Sequence, residues 1–354
     1  MSYVIDVYRN DVKAQKNPFT VAVYLSAFPQ LIAGPIVRYS DIERELYERT
    51  ETSDGVSRGL QRFIIGLSKK LIIANTVAAV ADGIYVYVPS EYGVIGAWIA
   101  AIAYTLQIYY DFSGYSDMAI GMGRMMGFHY LENFDYPYSA ATVTDFWRRW
   151  HMSLSHFFRD YVYIPLGGNR VSVPRWIFNM MIVWCLTGIW HGAAFNFALW
   201  GIYYGILLIS EKKLLAKFLQ KHRIISRIYV IFAFVIGWVI FRTENIKNLG
   251  KALFALVGGY GIGHGDVSAF TILKRAECGV FFVIIAILGI ALSTPHGLFG
   301  LSSIRKKLFG TADEKILPTK KGAFYSGIVC TALLLICIVM LESGSYNPFI
   351  YFRF

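Results

Sequence analysis

One histidine lies in a long apolar stretch of the sequence. His191 occurs in LTGIWHGAAFNFALW, and no Asp, Glu, Lys or Arg is found between Arg175 and Glu211. An ionisable side chain at bilayer depth costs on the order of 2.5–3.5 kcal/mol, so such residues are candidates for function. Neutral imidazole is also the usual general base near neutral pH. Gly188 and Gly192 beside it allow a substrate or another backbone to approach closely. The residues alone leave two roles open, a general base and a structural histidine hydrogen-bonded between helices.

A second polar cluster runs from Asp145 to Arg170, DFWRRWHMSLSHFFRDYVYIPLGGNR. Its spacing predicts one amphipathic helix that is capped by Thr144 or Asp145, ends near Pro165, and lies at the membrane surface or folded into the protein. His151 falls at the edge of the apolar stripe and is predicted to be buried, with packing as its favoured role. His156 falls on the polar face and is predicted to be solvated or paired with Asp160. The predicted apolar stripe consists of Phe146, Trp147, Trp150, Leu154, Phe157, Phe158 and Tyr161, and the opposite face of Asp145, Arg149, His156, Arg159 and Asp160.

A third cluster, YYDFSGYSDMAIGMGRMMGF, places Asp111 and Asp117 close together at the end of an apolar segment. These acids either orient a catalytic imidazole or pair with Arg124 and Arg148, and pairing is favoured for at least one. The sequence contains no HExxH, GxSxG or Walker lysine motif, which argues against zinc hydrolysis, serine hydrolysis and ATP-driven transport. The four cysteines lack CxxC spacing, so we predict neither a metal site nor a disulfide framework.

The composition indicates which elements position these residues. Of the 354 residues, 56% are hydrophobic and only 16% are charged, whereas a soluble domain carries about 25% charged residues. We therefore predict an all-α, polytopic integral membrane protein. The segments closest to the roughly 20 residues of a span are Tyr92–Tyr110, Trp176–Trp190, Ala193–Ile209, Ile224–Phe241, Gly279–Leu292 and Ala323–Leu341. The weaker segments Pro18–Val37 and Leu60–Val80 are predicted to be broken, re-entrant or interfacial helices.

The net charge of +11 is best explained by orientation in a membrane. Basic residues cluster in the loop after Ile209 and in the loop before Ala323, and both loops are predicted to face the cytoplasm. Two predicted spans separate these loops, as a shared side requires. The stretch Asn245–Ala276 is predicted to be an outer loop with a partial helix, and the C-terminal SYNPFIYFRF to reach the outer face. No nucleic-acid-binding motif accompanies the basic residues, and no signal peptide is predicted from the N-terminal residues.

Five motifs together resemble the membrane-bound O-acyltransferase family, in particular its bacterial alginate O-acetyltransferase-like branch. They are PQLIAGPIVRY, YYDFSGYSDMAIGMGRMMGF, DFWRRWHMSLSHFFRDYVYIPLGG, TGIWHGAAFNFALWG and YNPFIYFRF. The resemblance implies one domain over residues 1–354, with a catalytic core at about 92–210, in which tilted and broken helices surround a membrane-crossing tunnel. Members of the family usually begin with further hydrophobic spans before the segment that matches SYVIDVYRNDVKAQKNP, so we expect this chain to lack those spans.

The resemblance also implies roles for individual residues. His191 maps onto the family's catalytic histidine and is expected to take the proton of an acceptor hydroxyl as its oxygen attacks a thioester. His151 maps onto the second polar position, which orients His191 or stabilises the oxyanion. No covalent enzyme intermediate, metal or bound cofactor is expected. Arg148, Arg149, Arg159, Arg170 and Arg175 are expected either to hold an anionic donor or to anchor the chain at the cytoplasmic surface, and Asp111, Asp117 and Asp145 are expected to support the site.

The function implied is transfer of an acetyl group from acetyl-CoA toward an extracytoplasmic glycan in the bacterial cell membrane. An extracytoplasmic SGNH-type partner would finish the transfer. One alternative is D-alanylation of teichoic acid from a carrier protein. Another alternative, from a different class, is a transporter or channel, because buried histidines also serve proton relays.

Overall fold

The computed structural model describes residues 1–31, 34–262, 271, 279–295 and 320–343. Within these ranges the chain is helical, and the extended pairing there is one isolated bridge between Phe134 and Trp150. The predicted all-α class is confirmed. Predictions about the basic loop before Ala323, most of the stretch from 263 to 278 and the C-terminal SYNPFIYFRF fall outside the described residues.

The helices follow the chain in a simple order. They are α1 (Ser2–Tyr8), α2 (Pro18–Ser26), α3 (Tyr39–Ile42), α4 (Glu45–Glu48), α5 (Ser53–Ser68), α6 (Asn75–Tyr85), α7 (Pro89–Met125), α8 (Val143–Arg149), α9 (Met152–Phe158), α10 (Val173–His191), α11 (Phe195–Ser210), α12 (Ala216–Lys221), α13 (Arg223–Arg242), α14 (Ile246–Leu256), α15 (Gly279–Leu292) and α16 (Lys320–Glu342). Short 3-10 turns occupy Phe28–Gln30 and Pro137–Ser139, and π-helical turns occupy Lys69–Ala74, Arg159–Tyr163 and Glu211–Leu215.

Four helical stretches among the described residues are long and apolar enough to cross a membrane. They are Ser53–Tyr85, Pro89–Met125, Arg223–Arg242 and Lys321–Glu342. The segment Leu60–Val80, predicted to be broken or interfacial, is instead part of the continuous 33-residue stretch Ser53–Tyr85. Its two central lysines are accommodated because they pair with acids of α7, as described below. Helices α10, α11 and α15 form at Trp176–Trp190, Ala193–Ile209 and Gly279–Leu292, which were predicted as spans, but these helices are not among the four stretches.

The interruption predicted in Pro18–Val37 is confirmed. Helix α2 ends at Ser26, and a 3-10 turn that contains Pro29 follows it. The partial helix predicted after Asn245 is also present as α14, whose first turn is capped by the Asn245 side chain. Both elements begin or end at residues that favour helix termini, since proline cannot donate a backbone hydrogen bond and asparagine caps well.

Helix α7 is the centre of the bundle, and glycines set its distance from α5. A Cβ on Gly66 would lie 2.5 Å from the carbonyl oxygen of Gly114, and one on Gly121 would lie 2.6 Å from that of Gly59. Side chains at these positions would force the helices apart, so the glycines allow backbone contact along the crossing. Helices α10, α11 and α13 pack around the other side of the core, which is rich in tryptophan and tyrosine.

The prediction of one amphipathic helix from Asp145 to near Pro165 is wrong, because two helices, α8 and α9, form in this segment. Helix α8 begins after Thr142, whose hydroxyl accepts a hydrogen bond from the Asp145 backbone N–H at 3.0 Å, and it ends at Arg149. Helix α9 starts only at Met152, because His151 has a left-handed backbone with φ of +46°. The break is imposed by hydrogen bonds from a distant segment, which helical periodicity cannot reveal.

Candidate functional site

Residues 143–163 fold into a helical hairpin, here called the histidine hairpin. Its first limb, α8, runs beside α10, since the ring centroids of Trp147 and Trp184 are 4.8 Å apart. Four residues further along the limb, the His151 ring lies 6.0 Å from the Trp190 ring. Helices α8 and α10 therefore run in the same direction, and His151 lies at the hairpin tip beside the C-terminal end of α10.

Both ends of the histidine hairpin are attached at the other end of α10 and α11. The carboxylate of Glu211, just after α11, accepts hydrogen bonds from the backbone N–H groups of Val143 at 2.5 Å and Thr144 at 2.9 Å. On the return limb, the hydroxyl of Tyr163 accepts a hydrogen bond from the indole of Trp176 at 3.0 Å. The hairpin thus enters and leaves at one side of the bundle and carries His151 inward.

Asn133 holds the tip of the hairpin. Its backbone carbonyl accepts a hydrogen bond from the Met152 N–H at 3.0 Å. Its side-chain Oδ1 accepts from the Ser153 backbone N–H at 3.2 Å and from the Ser153 hydroxyl at 2.9 Å, and it lies 3.1 Å from Nδ1 of His151. Asn133 is fully buried and His151 is 3% exposed. These bonds stabilise a positive φ that is uncommon for a residue with a side chain.

Aromatic side chains form the walls around both histidines. The Phe112 ring meets the His151 ring edge-on at 4.7 Å. His191, the last residue of α10, lies 5.2 Å from the ring of Trp200 and 5.2 Å from that of Phe241. A low-dielectric wall of this kind strengthens polar interactions inside the site.

The structure brings His151 and His191 together. The Trp190 ring lies 6.0 Å from the His151 ring and 4.9 Å from the His191 ring, and the two imidazoles interact electrostatically. Burial lowers the pKa of His151 well below its ordinary value, and His191 lowers it further. His151 is therefore neutral at physiological pH. A neutral imidazole can accept a proton, which is the chemistry of general base catalysis.

Gly192 fixes the approach of α11 to His191. A Cβ on Gly192 would lie 2.5 Å from the Phe197 ring, and one on Gly188 would lie 2.3 Å from the Phe197 carbonyl oxygen. A larger residue at Gly188 would push the start of α11 away from the end of α10, because the contact is with backbone, whereas one at Gly192 would displace the Phe197 ring. The two glycines therefore set the packing on which the position of His191 depends.

The acids predicted to support the site form ion pairs with residues of the preceding helix. Asp111 lies 2.5 Å from the Lys70 ammonium, with both side chains buried. Asp117 pairs with Arg62 and with Lys69, each at 2.6 Å. Their described ion-pair partners therefore differ from Arg124 and Arg148, which were the predicted partners. These pairs connect α7 to the stretch Ser53–Tyr85.

Asp145 lies at the start of the histidine hairpin, away from the two imidazoles. Its carboxylate accepts hydrogen bonds from the Ala141 backbone N–H at 3.2 Å and from Arg149 Nε at 2.9 Å. An acid in the first turn of a helix interacts favourably with the helix dipole. Asp145 and Arg149 thus stabilise the entrance of the hairpin.

The arginines predicted to bind a donor are dispersed. Arg148, Arg170 and Arg175 are exposed. Of the arginines predicted to bind a donor, Arg159 is the one that lines a cavity of about 110 Å³ on the return limb of the histidine hairpin. The residues that line this cavity are Ile36, Arg38, Asp41, Leu131, Ser153, His156, Arg159 and Asp160.

The cavity lining contains two arginines and two aspartates, and one of these acids bridges both arginines. Asp160 lies 2.8 Å from Arg38 and 2.6 Å from Arg159. Burial raises the pKa of Asp160, but the hydrogen bonds from Arg159 and Arg38 outweigh it and leave that pKa below its usual range. Burial first and then Arg159 and Arg38 lower the pKa of His156. His156 was predicted to be solvated or paired with Asp160. It is exposed and lines the same cavity as Asp160, whose described ion pairs are with Arg38 and Arg159.

Three residues of the site were not predicted from the sequence. Asn133 lies in a loop with no helical periodicity, so nothing in the sequence indicated its contact with His151. Arg38 belongs to the motif PQLIAGPIVRY, which singled out the segment but not the residue. Glu211 is the first charge after a long apolar run, and this is the sequence feature that distinguishes it. Among the described residues, no group of His, Cys, Asp and Glu is arranged to hold a metal ion.

The described helices, with a buried and a half-buried imidazole between them, are typical of a multi-pass membrane protein with a polar site inside its bundle. A family model described as "MBOAT, membrane-bound O-acyltransferase family" matches residues 13–246. The chain belongs to the membrane-bound O-acyltransferase family. This membership decides between the two classes that the sequence left open, in favour of a membrane-bound O-acyltransferase and against a transporter.

Relatives carry three kinds of name. The chain is 38% identical over 365 residues to "Probable alginate O-acetylase AlgI" of Pseudomonas putida, covering 100% of this chain and 73% of that protein. It is 39% identical over 265 residues to "Peptidoglycan O-acetyltransferase" of Helicobacter pylori, covering 72% of this chain and 50% of that protein. It is 31% identical over 198 residues to "Teichoic acid D-alanyltransferase" of Bacillus subtilis, covering 52% of this chain and 49% of that protein.

Proposed function

We propose that the protein transfers acetyl groups from acetyl-CoA toward hydroxyl groups of an extracytoplasmic glycan in the bacterial cell membrane. The observation that supports this most directly is the pair His151 and His191, brought together at the tip of the histidine hairpin. The relatives that cover the whole chain are named as acetylases, and this favours acetyl as the group transferred.

In the proposed reaction, His191 acts as the general base. It accepts the proton of the acceptor hydroxyl while the hydroxyl oxygen attacks the thioester carbonyl carbon. The carbon–sulfur bond then breaks, and the CoA thiolate leaves and takes up the proton from His191. The products are an acetyl ester and CoA, so no covalent enzyme intermediate and no further reactant are required. His151 supports His191 from the neighbouring tip.

The proposed donor path begins at the cavity on the return limb of the histidine hairpin. Arg38 and Arg159 offer guanidinium groups, which bind phosphate well because they present several donors in a planar fork. Ser153 lines this cavity and also donates a hydrogen bond to Asn133, which contacts His151. The cavity therefore lies next to the tip of the histidine hairpin, which carries His151. We propose that phosphate groups of the donor bind at the cavity. The membrane-crossing tunnel and the SGNH-type partner stay predictions.

A transfer assay tests the role of His191. Membranes that contain the full chain are given acetyl-CoA labelled in the acetyl group and the cell's own glycan, and label in polysaccharide is measured. We expect His191→Gln to lower the rate at least about 100-fold, as for loss of a positioned general base. His129→Gln is the matched control, because the His129 ring is largely exposed and pairs with Glu45. Full activity of His191→Gln at a normal protein level would overturn the assignment.

A second assay tests the donor site. We expect Arg159→Gln to raise the KM for acetyl-CoA with little change in kcat, since Arg159 is proposed to contact phosphate and not the reacting carbonyl. Arg170→Gln, at an exposed arginine outside the cavity lining, is expected to leave both constants unchanged. An unchanged KM in Arg159→Gln would remove this arginine from the donor site.

D-alanyl transfer is the second candidate, favoured by the likeness to the Bacillus subtilis protein. It predicts a different donor, an acylated carrier protein. Supplying membranes with either labelled acetyl-CoA or a D-alanyl carrier protein separates the two. Label that enters the glycan only from the carrier protein would replace the acetyl proposal.

A further inference from the structure

The hydrogen bonds around Asn133 determine which way its amide is turned. The Ser153 backbone N–H can only donate, and it points to Oδ1 of Asn133 at 3.2 Å. The Ser153 hydroxyl, which itself accepts a hydrogen bond from the Ile36 N–H, also lies 2.9 Å from this oxygen. Turning the amide round would place Nδ2–H groups against the Ser153 N–H. Oδ1 must therefore face Ser153 and His151.

This orientation has a consequence for the His151 ring. Nδ1 of His151 lies 3.1 Å from Oδ1 of Asn133. An amide oxygen has no proton to donate, so Nδ1 must carry the proton in this hydrogen bond. In neutral imidazole one nitrogen is the donor and the other is the acceptor. Nε2, at the ring edge that faces away from Asn133, then carries the lone pair.

We propose that Asn133 is a positioning residue that fixes His151 in the Nδ1–H tautomer, so that Nε2 of His151 accepts a proton or hydrogen bond during acyl transfer. This inference rests on the proposed function for its catalytic consequence, although the tautomer itself does not depend on it. A neutral His151 held in this way has no Nε2–H group to offer an oxyanion. Of the two supporting roles open to His151, orientation of its neighbour through an accepted hydrogen bond is the one that this tautomer allows.

Asn133 also positions the ring through the backbone. Its carbonyl accepts from the Met152 N–H, and this bond helps to hold His151 at a φ of +46°. One residue thus holds the peptide on the C-terminal side of His151 and one nitrogen of its ring. With both constraints in place, the imidazole has little freedom to rotate or to exchange its tautomer.

The first test measures the tautomer directly. The full chain in lipid is labelled with ¹⁵N- and ¹³C-histidine, and solid-state NMR distinguishes the Nδ1–H from the Nε2–H tautomer. His151→Gln identifies the His151 signals among the seven histidines. We expect His151 to be neutral with the proton on Nδ1. A proton on Nε2 in the wild-type protein would overturn the inference, whatever the outcome of the transfer assay.

The second test removes the hydrogen bond. Asn133→Leu keeps the side-chain size but has no acceptor oxygen, and we expect a population of the Nε2–H tautomer to appear. We expect kcat for acetyl transfer to fall by about 10- to 100-fold with the KM for acetyl-CoA unchanged, within the range attributed to a positioned acid–base group. Asn179→Leu is the matched control, because Asn179 is also fully buried but binds the carbonyls of Leu166 and Gly168.

These measurements separate the inference from the proposed function. A correct tautomer in a wild-type protein that transfers no acetyl group would contradict the function but leave the positioning role of Asn133 intact. A folded Asn133→Leu protein that keeps the pure Nδ1–H tautomer would overturn the positioning role. If Asn133→Leu fails to fold, the tautomer of the wild-type protein decides the question.

Discussion

Gly188 lets α10 touch the backbone of α11 one helical turn before His191. An added Cβ would lie 2.3 Å from the carbonyl oxygen of Phe197, whereas real Cβ contacts almost never fall below 3.0 Å. In Gly188→Ala the helices must therefore separate by at least about 0.7 Å at this point. Overpacking of this kind costs about 1–3 kcal/mol, and a misplacement of about 1 Å can reduce catalysis about 100-fold. We expect both effects.

The assay for Gly188→Ala combines thermal unfolding in detergent micelles with acetyl transfer in membranes. Gly250→Ala is the matched control, because Gly250 also lies inside a helix, α14, and an added Cβ there meets nothing within 4 Å. This control is expected to be neutral or slightly stabilising, since alanine favours helices over glycine by about 1 kcal/mol. A Gly188→Ala protein with the melting temperature and transfer rate of the wild type would refute the inferred contact between the two helices.

Three further predictions concern charged groups. Glu211→Gln removes the charge that caps α8, and we expect unfolding in micelles to become easier by about 1–2 kcal/mol; unchanged stability would show that the charge is dispensable there. Asp111→Asn leaves the buried Lys70 ammonium without its carboxylate and should lower the free energy of unfolding by about 3–5 kcal/mol. The double variant Lys70→Met with Asp111→Leu should recover most of this stability. A double variant no more stable than the single one would contradict this. The pKa of Asp160 is lowered in the folded state. Its ion pairs therefore stabilise the protein above the ordinary Asp pKa of about 4, and this stabilisation is lost as the pH falls through the pKa of the folded state. Asp160→Asn should remove that part of the acid dependence in unfolding scans.

Helix position could be predicted well where the apolar pattern was strong. The apolar runs that contain Trp184 and Trp200 predicted α10 and α11, because a helix can satisfy its own backbone hydrogen bonds in an apolar medium. The stretch that contains Lys69 and Lys70 was predicted less well. Charges in the middle of an apolar run count against a span unless the partners are known, and Asp111 and Asp117 come from a different helix.

The site could be predicted only in part. The isolation of His191 in an apolar run is visible in the sequence, and so is the position of His151 at the edge of a stripe. The break at His151 is not visible, because the helical period continues through it from Phe146 to Phe158. The hydrogen bonds that cause the break come from Asn133, 18 residues earlier in the chain.

The sequence by itself determined the chemical inventory and the environment. Its apolar runs require helices in a membrane, and its histidines in apolar surroundings identify the candidate proton acceptors, since local pattern and composition control both. Only the tertiary structure decided that His151 and His191 lie beside the same tryptophan, that Asp111 and Asp117 pair with lysine and arginine, and that an asparagine contacts the His151 ring. These features depend on contacts between segments far apart in the chain, and such contacts arise only when the helices pack.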